Sequence, residues 1–238
     1  MDQFLKDEIA IVTGGTRGIG FAIAEALLSE GASVAICGRT EESTAKAVTQ
    51  LQSKSKSRVV GKAVDVAKPE QVSEFFRFVD SDLGSTGILI NNAGVGKFAS
   101  TAALTIDDWK TMLETNLSGV FYCSHEALSR FQKRGSGYVI NISSLAGKNP
   151  FAGGAAYNAT KFGLNGFSEA MMLDHRFDNV RVSYIMPGSV DTEFGGSGSP
   201  SSWKIAPSDI ADIVLMLLRM PARTLVSRVE VRPSKPGK

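Results

Sequence analysis

Hydrophobic positions along the chain follow two alternating patterns. Short runs rich in β-branched residues are continuously apolar, which is typical of parallel strands covered by helices on both faces. They fall at residues 9–13, 33–37, 59–64, 88–91, 138–142, 181–186 and 227–231. Between them, apolar residues recur three and four apart, as in amphipathic helices, at 19–29, 41–51, 71–81, 107–132, 157–177 and 207–219. This order predicts a doubly wound α/β fold with a parallel seven-stranded sheet and helices on both faces.

Length and composition favour one domain. The 238 residues fit a single α/β unit, and 43% hydrophobic with 21% charged residues is ordinary for a globular protein. One segment is biased, because residues 193–203 are rich in glycine and serine. A linker there would need a second domain after it, and only about 35 residues follow. We therefore expect a flexible substrate lid over about 192–206.

Charge and cysteine content narrow the function classes. A net charge of +2 gives no broad footprint for nucleic acid or an anionic membrane surface. Asp2, Asp7 and Glu8 stand where a secretory signal would be basic, and no apolar run is long enough to span a bilayer. Cys37 and Cys123 lie in apolar stretches without metal-ligand spacing, which suits buried thiols in a reducing compartment. We expect a cytoplasmic protein without a metal site.

A glycine-rich turn follows the first predicted strand and opens the first helix. Its sequence, TGGTRGIG at 13–20, lets the backbone approach a pyrophosphate, whose charge is favoured by free N–H groups at a helix N-terminus. The alternative is that the glycines serve only the geometry of the tight turn. In this context we favour dinucleotide binding, with contacts from Gly14, Thr16, Arg17, Gly18, Ile19 and Gly20.

The end of the second strand bears on which dinucleotide binds. A cofactor with a free ribose 2′-hydroxyl calls for Asp or Glu there, whereas the sequence has Arg39 and Thr40. Arg39 and Arg17 are expected to converge on a 2′-phosphate, since guanidinium matches phosphate oxygens in a bidentate fork. The alternative is two ordinary surface arginines. The sequence thus predicts NADP(H) as the cofactor.

Polar residues end the third and fourth strands. Asp65 and Val66 follow one strand, and Asn92, Ala93 and Gly94 follow the next. Ligands of open α/β sheets bind at this carboxyl edge, so Asp65 is placed for a base amino group and Asn92 to Gly94 for the adenosine ribose and strand packing. Either group could instead satisfy local backbone groups in turns.

A candidate catalytic cluster comprises Ser144, Tyr157 and Lys161, with Asn116 upstream. Tyr157 and Lys161 are four apart, which puts them on one helix face. A phenol has a pKa of about 10, and lowering it toward 7 requires roughly 4 kcal/mol of phenolate stabilisation, much of which a nearby cation can supply. We expect Lys161 to acidify Tyr157, with Ser144 holding a carbonyl oxygen, although a tyrosine and lysine at this spacing usually lie on a plain surface.

Together these motifs resemble the short-chain dehydrogenase/reductase family, from about residue 7 to 231. The match includes the glycine turn, residues 91–94, Asn116, residues 141–144, Tyr157 with Lys161, and Pro187-Gly188 followed by Thr192. The resemblance implies a Rossmann-type fold, Tyr157 as general acid/base, Ser144 as partner of the substrate oxygen, and Lys161 as tyrosine activator and nicotinamide-ribose ligand. It also implies Asn116 in a proton-relaying water chain, and the nicotinamide near Pro187, Gly188, Val190 and Thr192. Arg17 and Arg39 match its NADP-preferring branch.

The expected reaction is hydride transfer between NADPH and a carbonyl or alcohol substrate. The last strand lacks the glycine-rich ending of many acyl-carrier-protein reductases and looks more like reductases of small hydroxy acids, ketones or aldehydes. Aromatic residues that would line an apolar substrate site, or else belong to the core, are Phe98, Phe151, Phe194 and Trp203. Acyl-carrier reduction, a sugar-nucleotide epimerase or dehydratase, and a non-catalytic NADPH sensor or scaffold are the alternatives. Apolar helices 107–132 and 157–177 suggest a homodimer or homotetramer.

Overall fold

The computed structural model describes residues 3–194 and 202–235, which form a parallel sheet flanked by helices. The strands are β1 (Ile9–Thr13), β2 (Ser33–Gly38), β3 (Val59–Ala63), β4 (Ile88–Asn91), β5 (Gly137–Ile142), β6 (Val180–Pro187) and β7 (Arg228–Val231). The helices are α1 (Gly18–Ser29), α2 (Glu41–Gln52), α3 (Pro69–Asp82), α4 (Ile106–Leu113), α5 (Gly119–Arg134), α6 (Ala155–His175) and α7 (Pro207–Arg219). The doubly wound, Rossmann-type α/β prediction is confirmed, and every predicted strand agrees within one residue at each end.

Strand order places a crevice in the middle of the sheet. The order is β3-β2-β1-β4-β5-β6-β7, and all pairs are parallel. Because β1 pairs with both β2 and β4, the winding direction reverses between β1 and β4. Ligands of such sheets bind outside the carboxyl ends of the strands at this reversal.

Two hydrophobic cores, one on each sheet face, explain the continuous apolar strands. In β1, Val12 packs with the core under α1 and α7, whereas its neighbour Ile11 packs with the core under α3, α5 and α6. Successive side chains of a strand point to opposite faces, so both must be apolar when both faces are covered. Packing on both faces thereby fixes the positions of the residues at the carboxyl edge of the sheet.

The predicted helix over residues 107–132 is wrong in one respect. It is divided into α4 and α5 by a π-helical turn, Glu114–Ser118, which contains Asn116. The widened turn keeps the helical direction and the apolar spacing on either side, so sequence periodicity does not reveal it. The turn lets Asn116 reach the backbone of Val95, with which it exchanges two hydrogen bonds.

Three further predictions concern the periphery. Much of the predicted lid, residues 195–201, lies outside the described residues, and a bridge between Val190 and Ile205 joins the chain on either side of it. Among helices of the described part of the chain, none is both long and apolar enough to cross a membrane. On α5 and α6, Phe121 and Phe162 are exposed, and assembly through these helices stays a prediction.

Candidate active site

A cavity of about 1280 Å³ opens at the carboxyl edge of the sheet. Its walls come from the segments that follow β1, β2, β3, β4, β5 and β6, as the crevice position requires. Of the predicted site residues, the cavity is lined by Gly14, Thr16, Arg17, Gly18, Ile19, Arg39, Asp65, Val66, Asn92, Ala93, Gly94, Ser144, Tyr157, Lys161, Pro187, Gly188, Val190 and Thr192. Gly20, Thr40 and Asn116 are not among the lining residues, and their positions are described below.

The glycine turn after β1 is held in an unusual backbone conformation. Gly14 and Gly18 have φ of 62° and 55°, in the left-handed region that favours glycine. A Cβ added at Gly14 would lie 2.9 Å from Ala93 Cα. A Cβ at Gly20 would overlap the Gly14 carbonyl oxygen and the Asn92 amide, so Gly20 lies beneath the turn rather than at the cavity surface. The turn leaves the N-terminus of α1 facing the cavity.

Asn92 braces this turn against the end of β4. Its Nδ2 donates to the carbonyl oxygens of Thr13 and Gly14, both at 3.0 Å. In return, the Thr13 hydroxyl oxygen accepts from the backbone N–H groups of Asn92 and Ala93, again at 3.0 Å. These bonds tie β1 to β4 at the reversal point. The side-chain amide predicted for a ribose is thus engaged with the protein backbone.

The two predicted phosphate-binding arginines line the cavity but differ in their contacts. Arg17 Nη1 lies 2.7 Å from Glu193 Oε2, and both side chains are largely exposed, at 68% and 75%. Arg39 lies at the exposed end of β2. Thr40, predicted as a cofactor contact, instead caps α2, because its Oγ1 accepts from the Ser43 N–H at 3.3 Å. Its hydroxyl therefore serves the helix terminus.

Asp65 is at the cavity wall and also organises its own loop. Its Oδ1 accepts from the Ala67 N–H at 3.0 Å, and its backbone N–H donates to Gln71 Oε1 at 2.9 Å. The turn interpretation is therefore confirmed, and contact with the base of the cofactor stays a prediction for this cavity-lining residue. Val66 beside it lines the same wall.

Ser144, Tyr157 and Lys161 line the cavity where the chain leaves β5 and along α6. Ser144 ends the stretch after β5 and caps a 3₁₀ turn (Leu145–Gly147), its Oγ accepting from the Ala146 N–H at 3.1 Å. Tyr157 is 9% exposed and its hydroxyl hydrogen-bonds with the Ser144 side chain. Lys161 Nζ lies 5.7 Å from the centre of the Tyr157 ring and donates to the Ile142 carbonyl oxygen at 2.9 Å.

Burial dominates the pKa values of both side chains, and acidification of the phenol by Lys161 stays a prediction. Burial raises the pKa of Tyr157 to about 12, and the Ser144 hydrogen bond opposes this only in part. Burial likewise lowers the pKa of Lys161 to about 8. The physical reason is that each side chain loses hydration that its charged form needs. The phenol is thus protonated at neutral pH and can donate a proton.

Asn116 braces the cavity from behind. It is 1% exposed, its Oδ1 accepts from the Val95 N–H and its Nδ2 donates to the Val95 carbonyl oxygen, both at 2.8 Å. Nδ2 also lies 3.2 Å from Thr160 Oγ1 on α6. The side chain therefore couples the strand end that carries Gly94 to the helix that carries Tyr157. A part in a proton relay stays a prediction.

Aromatic side chains surround the tyrosine. The four aromatic residues singled out in the sequence all line the cavity, which decides against the core alternative: Phe98, Phe151, Phe194 and Trp203. Their apolar surfaces face the same space as the Tyr157 ring. This end of the cavity is suited to an apolar compound.

Sequence reasoning missed part of the lining. Arg232 and Pro233 follow β7 and line the cavity, as do Ser189, Glu193 and Lys204. Arg232 and Pro233 could have been found, because they too stand directly after the carboxyl end of a strand. Glu193 and Lys204 lie near the two ends of the glycine- and serine-rich segment. There the hydrophobic pattern of the sequence does not predict whether a side chain points into the cavity.

Comparisons with known proteins agree with this geometry. A family profile described as short chain dehydrogenase matches residues 8–201. An uncharacterized oxidoreductase of Staphylococcus aureus (strain MW2) is 34% identical over 230 residues, covering 96% of this chain and 98% of the relative. An uncharacterized oxidoreductase of Staphylococcus saprophyticus is 31% identical over 233 residues, covering 96% and 98%.

Solved structures are similar over nearly the whole chain. An alcohol dehydrogenase from the archaeon Thermococcus sibiricus, complexed with 5-hydroxy-NADP, has a TM-score of 0.90 at 30% identity and covers 97% of this chain and 99% of its own. A metagenomic short-chain oxidoreductase in complex with NADP has a TM-score of 0.86 at 33% identity, covering 98% and 99%. An actinorhodin polyketide ketoreductase with NADPH has a TM-score of 0.87 at 29% identity, covering 95% and 96%.

Proposed function

The chain belongs to the short-chain dehydrogenase/reductase family of oxidoreductases, and on that premise we propose that it transfers a hydride between NADP(H) and an apolar carbonyl or alcohol compound. The observation that carries the proposal is the buried Tyr157 hydroxyl, hydrogen-bonded to Ser144, in the wall of a cavity that also includes the glycine turn and Arg39. The proton donor and the turn proposed to bind the dinucleotide therefore line the same cavity.

The residues present fit NADP(H). The positive φ angles of Gly14 and Gly18 bring bare backbone to the cavity at the N-terminus of α1, which favours a pyrophosphate. Arg39 follows β2, where an acidic residue would favour a free 2′-hydroxyl, and its guanidinium suits a 2′-phosphate. The NADP, NADPH and 5-hydroxy-NADP in the similar solved structures support the same choice. Pro187, Gly188, Val190 and Thr192 would hold the nicotinamide end.

In the proposed reaction the bound cofactor supplies the hydride, and the protein supplies the proton. Ser144 donates a hydrogen bond to the substrate carbonyl oxygen beside Tyr157. The Tyr157 O–H bond breaks as a new O–H bond forms on that oxygen, which leaves a phenolate. The Lys161 ammonium, 5.7 Å from the ring centre, stabilises this anion, so the pKa of the phenol falls and that of the lysine rises as the charge develops. In the oxidation direction the phenolate takes the proton back.

Burial matches the two side chains to these roles. A protonated phenol at neutral pH is ready to give its proton, and the hydrophobic surroundings that raise its pKa also strengthen its attraction to Lys161 once it is charged. Lys161 lies on the same helix as Tyr157, and the Ile142 carbonyl of β5 holds its ammonium in place. Little rearrangement is therefore needed during proton transfer.

The alternative functions have less support. An NADPH sensor would not need Ser144, Tyr157 and Lys161 together at the cavity wall. Acyl-carrier reduction is disfavoured by residues 226–233, which read VSRVEVRP and lack the glycine-rich stretch of many acyl-carrier-protein reductases.

The direct experiment follows NADPH absorbance with the purified protein and a panel of ketones and aldehydes, run in parallel with NADH. We expect oxidation of NADPH on apolar carbonyl compounds and much slower oxidation of NADH. Tight NADPH binding without turnover on any compound would favour the sensor and remove the proposed reaction.

The cofactor assignment predicts that Arg39→Ala weakens NADPH selectively. Loss of a charge-assisted contact to a phosphate should raise the NADPH dissociation constant about tenfold or more, while that of NADH changes less than about twofold. Both constants are measured by fluorescence titration. Arg77→Ala, on the exposed face of α3, is the matched control and should change neither. Equal losses for the two cofactors would contradict a 2′-phosphate contact.

A further inference from the structure

Three phenyl rings line the cavity near Tyr157, and each is about half-exposed. Phe98, Phe151 and Phe194, here termed the aromatic box, are exposed to 48%, 45% and 45%, whereas Tyr157 beside them is buried. Large aromatic side chains usually bury most of their surface in the folded chain. Rings left half-exposed around a proton donor indicate that something flat and apolar completes their packing.

The rings are arranged in contact with one another. Phe98 meets the Tyr157 ring edge to face, with centroids 5.6 Å apart and an interplanar angle of 79°. Phe194 lies 5.7 Å from Tyr157 at 50°, and Phe151 lies 5.7 Å from Phe98 at 57°. Tilted and edge-to-face geometries are those in which aromatic quadrupoles attract. Because the three rings are tilted relative to one another, a further aromatic ring could contact either their faces or their edges.

Two glycines allow the box to be this narrow. A Cβ on Gly96 would lie 2.8 Å from Phe194 Cε1 and 2.9 Å from Phe98 Cζ, so any larger residue would push both rings apart. A Cβ on Gly154 would lie 2.6 Å from Phe151 Cζ. Gly96 has an ordinary backbone φ, so its role is to leave space rather than to permit a strained turn.

From these contacts we infer that the substrate carries an aromatic ring joined to its carbonyl carbon by a short spacer, and that Gly96 is a specificity-determining residue that sets the width of the box. The inference rests on the proposed function and narrows its substrate class. A planar ring can make edge-to-face contacts with Phe98 and Phe194 while its carbonyl oxygen reaches Ser144 and Tyr157. A saturated ring of similar size is thicker and lacks the quadrupole, so it gains less from the same walls.

The test compares 3-phenylpropanal with 3-cyclohexylpropanal, whose carbonyl groups are electronically alike because the spacer insulates them from the ring. We expect the wild-type kcat/KM to favour the phenyl compound by about tenfold, mostly through KM. Phe98→Leu keeps apolar volume but removes the ring, and should reduce the preference to about twofold or less. Phe177→Leu, at a 91% exposed position two residues after α6, is the matched control and should leave the preference intact.

Gly96→Ala tests the width of the box separately. The added methyl group should displace Phe98 and Phe194, raising KM for the phenyl compound at least about fivefold while propanal, which is too small to reach the walls, is little affected. Gly166→Ala on α6, where an added Cβ meets no atom within 4 Å, is the glycine control. Unchanged KM values in Gly96→Ala would overturn the role of this residue.

A binding measurement keeps the inference testable if a variant folds poorly. Calorimetric titration of wild-type protein with 3-phenylpropanamide and 3-cyclohexylpropanamide, which are not reduced, should show several-fold tighter binding of the phenyl compound. Turnover of both aldehydes with no phenyl preference would overturn the aromatic box as a substrate site while leaving the proposed reaction standing. Absence of turnover on every carbonyl compound would instead count against the proposed function, and phenyl-selective binding would still support the box.

Discussion

Replacing Tyr157 by phenylalanine is expected to lower kcat/KM for carbonyl reduction at least about 10³-fold while leaving the NADPH dissociation constant within about twofold of wild type. The substitution removes one oxygen from a buried ring whose remaining contacts, with Phe98 and Phe194, persist. Ser144 can still hold the substrate oxygen, but no group at that position can protonate it. Stopped-flow absorbance at saturating NADPH measures the chemical step directly.

Stability provides an independent readout for the same variant. Within residues 3–194 and 202–235 the hydrogen-bond partner of the phenol is Ser144, so loss of this bond should change the free energy of unfolding by about 1 kcal/mol. Tyr122→Phe, on α5 against Phe121, is the matched control and should retain full activity. A Tyr157→Phe protein that keeps most of its turnover would rule out this tyrosine as the proton donor.

The fold was predictable because its physical causes are local. Strands such as β1 are apolar on both faces, so their identity and limits can be read from an uninterrupted run. Residues that directly follow the strands, among them Gly14, Asp65 and Ser144, could then be assigned to one edge without knowledge of any distance. Because all strands are parallel, a residue that directly follows a strand in the sequence lies at the edge of the sheet where the cavity opens.

What sequence could not supply depends on contacts between distant segments. The ion pair between Arg17 and Glu193 joins residues 176 positions apart, so neither residue indicates the other. The π-helical turn at Asn116 preserves the apolar spacing on both sides, so the hydrophobic pattern of the sequence does not reveal it. Burial raises the pKa of Tyr157 and lowers that of Lys161, whereas helical spacing predicts only that the two side chains are neighbours.

Lys161→Met should lower catalytic activity strongly while the protein still folds. We expect kcat/KM to fall at least about 100-fold, since the phenolate left after proton transfer loses its cation, and NADPH to bind less tightly if the ammonium contacts the nicotinamide ribose. At neutral pH the wild-type protein holds a protonated amine in a buried position, 6% exposed, with one carbonyl partner. Methionine has similar volume and carries no charge, so the variant should fold.

The pH dependence of stability gives the sharpest form of this prediction. Burial lowers the pKa of Lys161 from its ordinary 10.5 to about 8, so between those values the unfolded chain binds a proton that the folded protein does not. The contribution of Lys161 to wild-type stability therefore rises with pH across this window, by about 3 kcal/mol in full and by about 2 kcal/mol between pH 7.5 and 9.5. Lys161→Met lacks this gain, whereas Lys46→Met, at an exposed position on α2, keeps it. Urea unfolding of the three proteins at both pH values measures the difference, in which titrations common to all three cancel. Parallel pH profiles for wild type and Lys161→Met would mean that the amine is hydrated in the folded protein and not held in the cavity wall beside Tyr157.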